Sequence, residues 1–282
     1  MNRVLVFVAK HSVTIALSLM FAAPVVFLAL TAFMTSDQTF TSDIWPRTWQ
    51  PENFAAVFEK TPLLKYLGNT VLYAGLSTGL MLLSSVPAAY ALAKLRWRGR
   101  YLVMVMIICW MMLPAQVTTV PLYMLLATVP PQVTGGQVHL TGTLWPLILP
   151  MLLGDCFSIF LLRQFLVTIP DEYLDAARVD GCGEWRTLLR VVLPMARPGI
   201  AATAMFSFFY AWNDYYGPLL YTSENDRNWT ISLALASFRT LHHVEWHLVS
   251  AATLVTIAPV VVLFFFAQKA FVQGVTLTGV KG

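Results

Sequence analysis

Charge is scarce in this sequence. Asp, Glu, Lys and Arg make up 11% of its 282 residues, against 57% hydrophobic residues, and the mean hydropathy is +0.66. A balance this apolar excludes an ordinary soluble domain. Cysteine is nearly missing too. Cys109, Cys156 and Cys182 are odd in number and not closely paired, which argues against a disulfide framework or a metal cluster. No Lys follows a Gly anywhere, so the phosphate loop G-x4-G-K-[ST] is absent and ATP binding in that manner is excluded. No internal repeat is evident. The net charge of +4 does not point to nucleic acid, because it reflects the topology described next.

What the chain does have is long apolar runs. A membrane-spanning helix needs about 20 mostly apolar residues, and six runs meet that demand, at about 13–33, 69–93, 101–126, 144–166, 200–220 and 248–270. The first is longer than the apolar core of a secretion signal and no small-residue cleavage site follows it, so it reads as a retained helix. The fourth carries Asp155. The expected fold is all-α: a polytopic membrane protein of six transmembrane helices, in a single domain over residues 1–282. Alternate connecting segments carry thirteen and five of the 18 Lys and Arg residues. Positive charge collects on the cytoplasmic side. This places both termini, the basic link 94–100 and the segment 167–199 inside.

The outer segments read mostly as wet loops. Trp45 and Trp49, in the polar stretch 35–68, suit interfacial anchoring or partner docking. His243 and His247 have helical metal-site spacing, with His242 beside them, but no third ligand or carboxylate pattern supports a metal. Pro130, Pro131, Gly135 and Gly136 predict a tight extracellular turn within 127–139. Pro114 and Pro121 should bend the third span. Gly75 to Gly79 matches the G-x-S-x-G of serine hydrolases, which requires a strand-to-helix turn. Inside an apolar helix the same residues are G-x-x-x-G, a close-packing face.

One stretch is out of keeping with the rest: DEYLDAARVDG, residues 171–181. Pro170 suits a helix start. Asp171 and Glu172 put negative charge at the positive end of the helix dipole, Arg178 puts positive charge near the other end, and Gly181 can adopt the left-handed cap. A second helix follows at once, with Trp185, Leu188, Leu189 and Val192 on one apolar stripe. Pro194 and Pro198 then end it. The unit is a helix-turn-helix between two spans, either an amphipathic elbow on the bilayer or a docking element. The small Ala176 and Ala177 would let a partner approach the backbone closely, which favours docking.

The pattern Asp175-Ala176-Ala177-x3-Gly181-x9-Val191-x-Leu193-Pro194 closely resembles the EAA motif of ABC importer permeases. Asp175 stands where the family has Glu, and Val191 where it has Ile. The six-span layout, AYALAKLRWRGR, LPAQVTTVPLY, AWNDYYGPLL and the ending TLTGVKG also resemble this family, in particular its carbohydrate-uptake branch (MalG-like and UgpE-like). The resemblance implies a coupling helix at 171–181 that seats on an ATP-hydrolysing subunit. The residues it assigns to that contact are Asp171, Glu172, Asp175, Ala176, Ala177, Arg178, Asp180, Gly181, Leu193 and Pro194. It further implies a second permease subunit in a heterodimer, two nucleotide-binding subunits and an extracytoplasmic solute-binding protein. No cofactor is expected on this chain, since ATP and Mg would sit in the partner. The cargo implied is a carbohydrate or a glycerol-phosphate-type solute.

Asn213, Asp214 and Pro114 are the candidates for the pathway or a subunit interface. An ionisable residue within a span usually faces the bundle interior, so Asp214 suits either solute contact or a hydrogen-bonded structural role, and Asp155 is treated alike. An ion-coupled secondary transporter is the alternative. It would need intramembrane charges or broken helices building an ion site, usually across repeated halves.

Overall fold

The computed structural model describes residues 3–136, 139–238 and 244–279, and among them every regular element is helical. The major helices are α1 (Arg3–Ala32), α2 (Glu52–Lys60), α3 (Leu63–Lys94), α4 (Arg100–Met111), α5 (Ala115–Val133), α6 (Trp145–Ile148) and α7 (Cys156–Val167). After them come α8 (Glu172–Val179), α9 (Glu184–Thr187), α10 (Leu193–Met195), α11 (Arg197–Asn213), α12 (Tyr216–Thr222), α13 (Ile231–Ser237) and α14 (Trp246–Gly279). Among the described residues, four stretches are long and apolar enough to cross a membrane: His11–Ala32, Leu63–Lys94, Trp145–Val167 and Trp246–Phe265. Two sharply bent pairs, α4 with α5 and Glu184–Met195 with α11, bring the number to six if each pair is one span.

The apolar runs are therefore present, but three of them are interrupted, each for a local reason. The third breaks at 112–114. Proline has no N–H to donate and disfavours helical backbone in the residue before it, so Pro114 ends α4 and α5 restarts at Ala115. Pro121, expected to bend the span as well, lies within α5 without a break. That helix also runs on through Pro130 and Pro131 to Val133, so the turn expected over 127–139 begins later. It starts with Gly135 and Gly136 at φ 64° and 83°, and Gly136 N–H donates to Pro131 O at 2.7 Å. The fourth run breaks at Gly154, whose φ of 92° favours glycine. The fifth stops at Asp214 before α12 begins.

The chain divides into two compact units. The first comprises Met1–Lys65 with Ala234–Val261. In it the polar segment after α1 is folded by side chains. The Asn53 amide donates to Ala32 O and Met34 O at 2.9 Å each, satisfying carbonyls at the end of α1. Buried Gln38 donates to Trp45 O and accepts from Arg47 N. Trp45 and Trp49 meet edge to face with ring centroids 6.0 Å apart. His247 falls in α14, whereas His242 and His243 lie outside the described residues.

The second unit comprises Tyr66–Leu233 with Val262–Gly282. Its apolar core gathers the end of α3 (Val86, Ala89, Tyr90, Leu92), α7 (Ile159, Leu162, Phe165, Leu166) and the following segment (Ile169, Leu174, Leu188, Val192, Ala196). Close approach of α11 to α7 depends on Gly199, because a Cβ there would lie 2.5–2.8 Å from the Phe165 ring. The expected packing face of Gly75 and Gly79 is different. A Cβ on either would meet nothing within 4 Å, so none of the described helices packs closely there.

Gly199→Ala should therefore overpack the α7–α11 contact and destabilise the protein by about 1–3 kcal/mol. Gly68→Ala, in a helix with open space around the new Cβ, should be neutral or stabilising. Thermal unfolding midpoints of the purified variants in detergent check both.

Candidate functional site

The segment between α7 and α11 forms one continuous structure on the end of α3. The chain turns at 168–170 after α7, where Lys94, the last residue of α3, reaches across. Its ammonium donates to Ile169 O and to Asp171 Oδ1, the latter at 2.7 Å, and its side chain is only 4% exposed. This link sets where α8 starts. Asp171 is the N-cap residue, yet its carboxylate makes no capping bond, because it is turned to Lys94. Pro170 precedes that cap instead of opening the first turn. Glu172 and Asp175 lie in the first turn, matching the helix dipole.

The other end of α8 is closed by Gly181 at φ 77°. Gly181 N–H donates to Arg178 O at 3.0 Å and Cys182 N–H to Ala177 O at 2.9 Å. This is the double bond pattern of the Schellman cap, and it needs a left-handed residue. Arg178 then joins the two helices. Its guanidinium pairs with Asp175 Oδ1 at 3.0 Å and with Glu184 Oε1 at 3.3 Å. Glu184 Oε2 accepts from Tyr90 Oη at 2.7 Å, so a polar chain runs from α8 through α9 to α3. A cavity of about 760 Å³ lies beside it, walled by residues that include Lys94, Trp97, Asp171, Asp175, Arg178 and Glu184.

Burial sorts the residues expected to act here. Leu174 and Ala177 point inward and are buried, while Asp171, Glu172, Asp175, Ala176, Arg178, Asp180 and Gly181 are exposed. Only Ala176 of the alanine pair is thus open to a partner, since Ala177 lies under the helix. Leu193 packs against the core from the far end of the segment, and exposed Pro194 stands beside it. The expected stripe divides as well. Leu188 and Val192 are buried, whereas Trp185 is 68% and Leu189 58% exposed. Neighbouring positions on a helix differ by about 100°, so the pair Leu188 and Val192 faces the core while the pair Trp185 and Leu189 faces out. A π-turn spans Leu188–Val192, just before Pro194. Beyond it the chain bends by 81° into α11.

Sequence reasoning missed Lys94, Tyr90 and Glu184, whose contacts cross long stretches of chain. It also missed Tyr173 and Val179, large apolar groups 52% and 88% exposed on a charged helix. A glutamate three residues after the capping glycine was a local signal for Glu184.

The intramembrane candidates do not join this site. Asp214 Oδ2 accepts from Tyr73 Oη at 2.9 Å, and Oδ1 from Gly217 N at 3.0 Å. Exposed Asn213 bonds back to Phe209 O. Asp155 caps α7, with Oδ2 accepting from Ser158 N at 2.8 Å and Ser158 Oγ at 2.6 Å. Pro114 is exposed at the α4–α5 break. No group of His, Cys, Asp and Glu among the described residues could hold a metal.

A helical membrane protein with a capped polar helix anchored between two spans has the layout of a transport subunit, and comparison with known proteins specifies the class. Residues 85–277 match the family of binding-protein-dependent transport system inner membrane components, and the chain belongs to that family. It is 31% identical, over 92% of its own length and 91% of the other, to the arabinooligosaccharides transport system permease protein AraQ of Halalkalibacterium halodurans. With the lactose transport system permease protein LacG of Rhizobium radiobacter the identity is 29%, over 95% and 94%. Its fold matches a chain in the crystal structure of a bacterial ABC transporter involved in the import of the acidic polysaccharide alginate. There the TM-score is 0.78 at 19% identity, covering 96% of this chain and 99% of that one.

The hydrogen bond from Lys94, and next its charge, hold the Asp171 carboxyl below the usual carboxylate range. A depressed carboxylate stabilises fully above its unfolded pKa of about 3.9 and loses that contribution as pH falls through the lower folded value. Amide-exchange protection of residues 171–179 should accordingly stay constant from roughly pH 5 to 8 after correction for intrinsic rates. Lys94→Met should raise exchange there about tenfold at neutral pH.

Proposed function

We propose that this chain is a transmembrane permease subunit of an ATP-driven, binding-protein-dependent importer for a carbohydrate or glycerol-phosphate-type solute. It forms half of the pathway and takes mechanical work from a separate ATPase through the helix at 171–181. Both compact units belong to one permease domain over 1–282 in the cytoplasmic membrane, with both termini inside. The assembly pairs it with a second, different permease subunit, two nucleotide-binding subunits that carry ATP and Mg, and an extracytoplasmic solute-binding protein. No cofactor binds this chain itself. Family membership supports the membrane role and the dependence on a binding protein. The names of the relatives, whose cargoes are arabinooligosaccharides and lactose, support the carbohydrate.

The observation that carries the coupling role is the two-sidedness of α8. Its inner face is buried: Leu174 sits in the core that also holds the ends of α3 and α7, and Ala177 lies beneath the helix. Its outer face offers Tyr173, Ala176, Val179 and a ring of charges. An amphipathic elbow lying on lipid would turn its apolar face outward as a whole. Here the fully buried apolar groups are inside, and the exposed ones alternate with Asp and Arg, as suits a protein surface.

Two variants test this. With the native cysteines replaced, Ala176→Cys should crosslink to the nucleotide-binding subunit in assembled complexes, and a label found only outside the cell would overturn the assignment. Gly181→Val places a β-branched residue at φ 77°, a strain of about 1–3 kcal/mol. It should weaken ATPase association and solute-stimulated hydrolysis together; normal transport by that variant would remove the cap from the mechanism.

A further inference from the structure

The second unit holds a cavity that neither the coupling segment nor the packing core uses. Its volume is about 460 Å³, and it lies among α3, the segment around the Gly154 break, the start of α7 and α11. Ser77, in its wall, is near the middle of the 32-residue α3. Ser207 lies past the middle of the 17-residue α11. At about 1.5 Å per residue, this places the cavity deep within the spans.

Two interruptions of the spans border it. Asp155, on the broken fourth run, contributes to the wall. Asp214, which ends α11, bonds to Tyr73, another wall residue. At membrane depth, non-helical backbone is tolerated only where protein buries it or where it lines a water-filled cavity. Breaks in two different spans converging on one cavity match the way transporters build solute sites near the midplane.

The lining chemistry narrows the solute. Four aromatic residues line the cavity, Tyr73, Phe157, Phe206 and Tyr210; Tyr73 is buried and the other three are exposed in this chain. Ser207 adds a hydroxyl. Both hydrogen bonds of the Asp155 carboxylate go to Oδ2, which leaves Oδ1 able to accept from a solute. None of the wall residues is Lys, Arg or His. Aromatic faces with a carboxylate and hydroxyls suit the apolar face and the O–H groups of a sugar ring. A phosphate dianion beside Asp155, with no cation to pair it, would be buried against like charge. The volume falls within the range of small-molecule sites and takes on the order of one or two sugar rings.

We propose that this cavity is a solute subsite contributed by this chain, shaped for a neutral, hydroxyl-rich ring and closed to phosphorylated solutes. It rests on the import function above and narrows the cargo to the carbohydrate half of that reading.

The test uses the full reconstituted complex with Cys109, Cys156 and Cys182 replaced and Ser207→Cys introduced. A methanethiosulfonate reagent reports access to the cavity. Arabinotriose, lactose and glycerol 3-phosphate are supplied with the binding protein, and hydrolysis is followed in the same samples. A saccharide that stimulates hydrolysis should slow labelling about tenfold, and glycerol 3-phosphate should not slow it. Tyr210→Ala should raise the transport KM for that saccharide about tenfold, equivalent to about 1.4 kcal/mol, while Tyr210→Phe, which keeps the ring, stays near the parent. If a saccharide stimulates hydrolysis but leaves labelling unchanged, the import function stands and this subsite falls. That result would fit a cavity filled by the second permease subunit. Protection by glycerol 3-phosphate would overturn the exclusion of phosphorylated solutes. Should no saccharide stimulate hydrolysis, the carbohydrate reading would fail and this inference with it.

Discussion

A single apolar core holds the polar helix and the ends of two spans together. Leu174, 2% exposed, packs among residues of α3, α7 and the Leu188–Ala196 segment. Burying one such leucine is worth about 1.5–3 kcal/mol, and the core contains several. The ion pairs around it are mostly surface contacts, each worth roughly 0–1 kcal/mol. Magnitude therefore assigns the roles. The core fixes α8 to the spans, and the pairs of Arg178 and Lys94 set its direction. A push on α8 cannot be absorbed by hinging away from α3 and α7 unless that core opens. Close-packed interiors shift between discrete arrangements more readily than they deform, so the segment moves as a body with the span ends it holds.

Features encoded by neighbouring residues were legible before the structure. The left-handed cap at Gly181, the acidic first turn of α8 and the apolar runs each depend on residues a few positions apart. Lys94 to Asp171 spans 77 positions and Tyr90 to Glu184 spans 94, and no spacing rule reaches that far. The stripe from Trp185 to Val192 misled for a different reason. Positions i, i+3, i+4 and i+7 span a wide arc of the helix, and the core here covers only the part holding Leu188 and Val192, leaving Trp185 and Leu189 outside. Ala176 and Ala177 behave similarly, since adjacent positions on a helix differ by about 100° and cannot both face a partner.

The breaks were harder still. Composition marks 101–126, 144–166 and 200–220 as continuous because hydropathy is indifferent to backbone geometry. Proline explains the third. For the fourth and fifth, the signal was an aspartate inside an apolar run, which was read as an ionisable group in search of a role. Asp155 and Asp214 each sit where a helix starts or stops and hydrogen-bond the backbone there. Their structural work answers one of the two alternatives, and it does not exhaust the second. Asp155 keeps an oxygen unbonded beside the cavity, and Asp214 reaches its wall through Tyr73.

The two ends of α7 bring cavity and coupling segment into one mechanical argument. This 12-residue helix is about 18 Å long. It is capped by Asp155 in the cavity wall and ends at Val167, just before the Ile169 carbonyl that Lys94 holds. Along it, Ile159, Leu162, Phe165 and Leu166 belong to the core shared with α8. A tilt imposed at one end of such a rod is delivered at the other, because the core leaves no slack between. Helix α11 has the same plan, closely fitted to Phe165 at Gly199 and lining the cavity from Phe206 to Ala211. The two rods touch at the base, through Gly199 and Phe165, and again at the cavity, where the Phe157 and Phe206 rings lie 6.1 Å apart, so a rotation of the base reaches the cavity wall through both.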